Sequence, residues 1–172
     1  MSHSLDDDEL EKSRAETRAA FENRALVYLT MYEEFSDELG EDRATEIMKR
    51  AIYRRGHDVG RQYRPAVAAG DLEEVGRIFC EGSPCEGELF TPGVEESDED
   101  RIVLSMQSCP LMDAWATAGL DPEEMDHMCV IAAAVDEGTF DSAGLDLVFL
   151  DRLGRPGADR CLLELRLRDG AE

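Results

Sequence analysis

The spacing of apolar residues changes once along this chain, and that change constrains the fold more than any other feature. Up to about residue 80, apolar side chains recur every three or four positions, the repeat of a helix with one buried face. Phe21, Ala25, Tyr28, Leu29, Tyr32 and Phe35 make one such stripe; Ala44, Ile47, Met48, Ala51, Ile52 and Val59 make a second. The first predicts a helix over 13–39, with Gly40 just past its end. The second predicts a helix over 42–63, ended by Pro65. Two such neighbours joined at a glycine fold back on each other as an antiparallel hairpin. A third, shorter helix is expected over 71–80, with Leu72, Val75 and Phe79 facing inward.

Beyond that point the repeat shortens. Residues 87–91 and 101–107 read as strands, with an exposed loop over 92–100 between them. A short helix follows Cys109-Pro110 and stops at Gly119. Asp121, Pro122 and Glu124 carry the marks of a capped helix start, and that helix is expected to run to Asp136 with Gly138 beyond it. Residues 145–152 and 161–167 form a hairpin around Gly154-Arg155-Pro156-Gly157. The order predicts an α+β fold: an N-terminal helical hairpin, then an antiparallel sheet of about four strands with two inserted helices. It occupies 13–172 as one domain, behind an acidic flexible tail over 1–12.

Charge narrows the partners. The net charge is −22, which repels a phosphate backbone and an anionic membrane surface, so neither nucleic acid nor membrane is an expected partner. No apolar run is long enough to span a bilayer. The first residues have neither a basic segment nor a hydrophobic one, which reads as cytoplasmic. Of 18 basic residues only Lys12 and Lys49 are lysines. This acidic, lysine-poor composition reads as salt adaptation (halophilic), because salt screens the self-repulsion of dense carboxylates. The melting temperature is therefore expected to rise as potassium chloride is added. A melting temperature unchanged from low salt to saturation would remove that reading.

Five cysteines, Cys80, Cys85, Cys109, Cys129 and Cys161, are too irregularly spaced for a zinc ribbon or a thioredoxin-type pair. Cys109, Cys129 and Cys161 each sit at the edge or on a face of a different element. Cys129 and Asp136 are seven positions apart, about two helical turns, and so share one helical face. A carboxylate on an inward stripe is costly unless paired, hydrogen-bonded or ligated. If the elements pack together, three thiols and one acid meet in a single pocket. Cys109 and Cys129 are candidate nucleophiles and Asp136 a candidate general base. Cys109 precedes a helix, whose positive end is expected to lower its pKa. Alternatively, Cys109, Cys129 and Cys161 form a thiolate set for a transition metal, zinc, iron or copper, in a structural or redox role. His57 and Arg61 lie in the densest basic stretch, 54–64, and are candidates for holding a substrate carboxylate. Gly56 and Gly60 leave one side of that helix bare for close packing or ligand approach.

Cys109-Pro110-Leu111, Trp115, Gly119-Leu120, Glu123-Glu124, Met128-Cys129, Asp136, Gly154 and Cys161 together resemble the L-2-amino-thiazoline-4-carboxylic acid hydrolase family. Arg24-Ala25, Ala51-Ile52, Gly56 and Gly60 fit the same pattern. The resemblance implies a small hydrolase that opens a sulfur- and nitrogen-containing ring, or attacks an amidine carbon, with water. It carries the family's cysteines onto Cys109, Cys129 and Cys161 and its acid onto Asp136, and Trp115 is expected to contact the substrate. The alternatives are the metal-thiolate protein and a non-enzymatic sensor that binds a small ligand. The expected partners are a small-molecule substrate and a second copy of the chain.

Overall fold

The computed structural model describes residues 7–168. Helix α1 (Asp7–Leu39) begins in an acidic turn, Asp7, Asp8 and Glu9, which suits the positive end of a helix. Residues 7–12, read from the sequence as tail, are thus its first turns; residues 1–6 lie outside the described part. Ala25 is fully buried because the indole of Trp115 crosses α1 there and donates to the Ala25 carbonyl at 2.9 Å. Gly40, at φ +82°, reverses the chain into α2 (Glu41–Gly60). The buried face of α2 is Ala44, Met48, Ile52, Gly56 and Gly60, one residue per turn. Pro65 does more than end this helix, since it lies in the first turn of a short new one, α3 (Arg64–Ala68). Helix α4 (Leu72–Glu81) is capped by Asp71, whose carboxylate accepts from the Glu74 amide at 2.9 Å.

Four strands, β1 (Pro92–Ser97), β2 (Arg101–Met106), β3 (Leu145–Asp151) and β4 (Cys161–Leu167), form one antiparallel sheet in the order β1-β2-β4-β3. The strand read at 87–91 is not there. That stretch follows a 3₁₀ turn over Pro84–Gly87 in which Cys85 and Glu86 hold φ of 55° and 54°, and Thr91 sits at 46°. Backbone in the left-handed region cannot continue a strand. The pairing instead falls on Pro92–Ser97, read from the sequence as loop. An edge strand tolerates Pro92 and Gly93, and its exposed acids blunt the open edge.

The segment between β2 and β3 holds three helices where two were expected: α5 (Pro110–Ala118), α6 (Pro122–Ala132) and α7 (Ala134–Ala143). The capping box of α6 is complete: Asp121 accepts from the amides of Glu123 and Glu124, and Glu124 accepts from the Asp121 amide. The helix breaks at Ala133 before reaching Asp136. Asp136 then lies in the first turn of α7, and Gly138, expected beyond a helix end, lies inside that helix. Its reason is packing. A Cβ on Gly138 would come 2.0 Å from the Tyr53 carbonyl oxygen of α2. A Cβ on Gly56 would come 2.3 Å from the Val135 oxygen, and one on Gly60 2.3 Å from the Thr139 oxygen. Helices α2 and α7 therefore touch backbone to backbone, and close packing is the use the fold makes of Gly56 and Gly60. Thr139 adds a hydrogen bond from its hydroxyl to the Gly56 carbonyl at 3.3 Å.

Two apolar clusters result. Helices α3, α4 and α7 cover one face of the sheet through Val67, Leu72, Val75 and Phe140 against Ile102, Leu104, Leu163 and Leu165. The other joins α1, α2, α5 and α6 around Trp115, Met128 and Ile131. No helix among the described residues is long and apolar enough to cross a membrane.

Candidate functional site

A cavity of about 290 Å³ lies where the two clusters meet. Cys109, Cys129, Cys161, Asp136 and Trp115 all line it. The three cysteines and Asp136 arrive from different elements, and Trp115 from the helix that Cys109 caps. Cys109 is the residue before α5, reached through a connector whose Gln107 and Ser108 amides bond to the carbonyls of Thr91 and Phe90. Cys129 is on α6, and Gly154 presses so close that a Cβ there would sit 2.5 Å from the Cys129 Cβ. Cys161 opens β4, with its sulfur accepting from the Leu153 amide at 3.3 Å. Asp136 is fixed by the α2–α7 backbone contact described above. Most of the remaining wall is aromatic or aliphatic, Phe79, Phe90, Phe140 and Met106 among it.

Burial governs the electrostatics. The Cys109 thiol is pushed up to about 11 by burial, although the amides of Met112 and Leu111 at the start of α5 pull it down. The helix end thus acts in the direction the sequence suggests, but loses to desolvation. Cys161 is pushed up to about 12 by burial against the Leu153 amide, and Cys129 is also raised by burial against the Gly154 amide and the Arg152 charge. All three are thiols at neutral pH. Asp136 is raised to about 7, first by burial and then by the charge of Glu137. Protein surrounds its carboxyl, while the residue as a whole is half-buried and lines the cavity. No hydrogen bond from the described residues reaches it. Tyr63, beside Asp136 in the same wall, has its phenol raised by burial and by the Asp136 charge.

The thiolate metal centre is not assembled: among the described residues, no group of three or more His, Cys, Asp and Glu is arranged to hold a metal ion. The three sulfurs are spread around an apolar chamber as neutral thiols. His57 and Arg61 do not line the cavity. The His57 ring lies 5.0 Å from that of Tyr53, and Arg61 pairs with Asp58 at 2.6 Å on the surface. His127 also points elsewhere, its Nε2 at 3.0 Å from the Thr45 hydroxyl. Two arginines supply the cavity's positive charge: Arg24 on α1, which the sequence marked only as part of the family resemblance and not as a site residue, and Arg152 after β3, which it did not mark. Ser83, whose buried hydroxyl has no hydrogen-bond partner among the described residues, also lines the chamber. Only the fold brings these residues together; the signals that single out Arg24 in the sequence are its place beside the apolar stripe of α1 and its fit, with Ala25, to the family pattern.

The description L-2-amino-thiazoline-4-carboxylic acid hydrolase belongs to the family that matches residues 18–163. The chain belongs to that family. Every residue lining the cavity, from Phe21 to Cys161, lies inside the matched span, so this hydrolase-family domain and the chamber coincide. No curated protein matches the chain.

Proposed function

We propose that the chain is a ring-opening hydrolase that adds water to the amidine carbon of a small sulfur- and nitrogen-containing heterocycle, with 2-amino-thiazoline-4-carboxylate as the first compound to test. The observation that carries this reading is Asp136: an enclosed carboxyl, without a hydrogen-bond partner among the described residues, in the wall of a chamber of ligand size and with a pKa near neutrality. As a carboxylate it takes a proton from water as the oxygen attacks the amidine carbon and the carbon–nitrogen π pair moves onto the ring nitrogen. The carbon–sulfur bond then breaks as the new hydroxyl becomes the carbamoyl oxygen, its proton going to the ring nitrogen; the electron pair leaves on sulfur, which takes the proton held by Asp136. One water is consumed, and the product carries a new carbamoyl group and a free thiol.

The protonation states favour water over cysteine as the nucleophile. With its pKa near 11, Cys109 is a thiolate in roughly one molecule in ten thousand at pH 7. The thiols contribute as polarisable wall and as weak donors. The largely apolar lining strengthens every charge interaction inside. Purified protein given the thiazoline acid is expected to release one thiol per substrate consumed, measured with a thiol reagent and by mass of the product. Binding of the compound with no thiol released would leave a small-ligand sensor as the better description.

A further inference from the structure

The chamber is electrically ordered, and that order specifies how a substrate enters. Its acid, Asp136, is enclosed. One of its two arginines, Arg152, is already tied to Asp126 at 3.0 Å. The other, Arg24, is an exposed residue that also lines the cavity, so it stands at the rim where the chamber meets solvent. Among the described residues Arg24 has no carboxylate partner, in a chain whose net charge is −22. Its guanidinium lies over the ring of Phe21, 4.4 Å from the centroid, and Phe21 packs edge-on against Phe90 at 5.3 Å. Both rings line the same chamber. A guanidinium held over an aromatic ring is partly positioned already and keeps N–H donors for an anion.

We propose that Arg24 is the specificity-determining residue of this site: it holds the carboxylate of an amidine-bearing acid at the rim, which points the amidine carbon inward to Asp136. The proposal rests on the hydrolytic reading for the identity of the substrate, but not for the contact itself. A cationic amidine end suits the enclosed acid and an anionic end suits the rim, so the chamber takes a zwitterionic heterocycle in one orientation. Amidines without a carboxylate lose the rim contact, and diacids meet an unpaired second charge in an apolar wall.

Calorimetry with 2-amino-thiazoline-4-carboxylate and with 2-amino-thiazoline, which lacks the carboxylate, reads the contact without needing turnover. Arg24→Met is expected to weaken binding of the acid by about tenfold or more, the range of a charge-assisted contact, and to leave binding of the analogue as in the unmodified protein. Arg24→Lys, which keeps the charge and loses the fork, is expected to restore part of the affinity. In kinetics the loss falls on KM more than on kcat. Equal affinity of both proteins for the acid, an equal loss for both compounds, or no binding of the acid by the unmodified protein would each overturn the proposal. Binding of the acid through Arg24 with no thiol released would uphold this contact and end the hydrolytic reading instead.

Discussion

Asp136→Asn is expected to lower ring opening by at least about 100-fold, the usual contribution of a positioned base, while making the fold more stable above neutral pH. The two effects have one cause. The carboxyl ordinarily titrates at 3.8 and here at about 7, because burial disfavours its charged form. The folded protein therefore holds this proton more tightly than the unfolded chain does. Below about pH 4 both states are protonated and the group costs nothing. Between about pH 4 and 7 stability falls as pH rises, and above 7 the full cost is present, at most about 4 kcal/mol. Asparagine has nearly the same shape and cannot ionise, so it removes that cost along with the base. Urea melts at pH 5 and pH 8 check the sign: the advantage of the variant should widen at the higher pH. A constant difference would mean that no buried charge is being relieved.

Gly138→Ala is expected to destabilise the fold by at least about 3 kcal/mol. Two effects oppose each other here. Alanine is the better helix former by about 1 kcal/mol. Against it, the added carbon would stand 2.0 Å from the Tyr53 carbonyl oxygen, a backbone atom with no rotamer to retreat into. Helices α2 and α7 would have to separate, loosening contacts at Gly56 and Gly60 along the same crossing. Because Asp136 rides on the first turn of α7, activity should fall further than the folded fraction does. Thermal melts with assays on the folded protein test both parts. A neutral or stabilising outcome would show that the helices are not in backbone contact.

The parts of the fold legible in the sequence are those that bury one face. The stripes of α1 and α2, the cap at Asp121, and the alternation of β3 and β4 each encode an inside and an outside. Strand β1 does not, because it is an edge with Pro92, Gly93 and exposed acids, and such a composition reads as loop. The break at Ala133 carries no local sign either, since it falls within Ala132-Ala133-Ala134 with no glycine or proline to mark it. Gly138 looks like a stop signal because its packing partner, Tyr53, is far away in sequence. For the site, the approach of Cys109, Cys129 and Cys161 could be read from where each falls in its element, but Asp136, read on the helix of Cys129, reaches the chamber from α7 beyond the break at Ala133. The state of the thiols could not: a helix end and burial act on Cys109 in opposite directions, and only the depth of the cavity decides between them. Arg24 and Tyr63 become site residues only when α1 and the turn before α3 close over the chamber.

The central claim is that an enclosed carboxyl, not a thiolate, generates the nucleophile. The pH dependence of kcat/KM for 2-amino-thiazoline-4-carboxylate tests it most directly. The expected profile rises through one ionisation near pH 7 and is level above it, and the residual activity of Asp136→Asn lacks that rise. A rate that climbs only near pH 9 or above, or a limb near 7 that persists in Asp136→Asn, would contradict it.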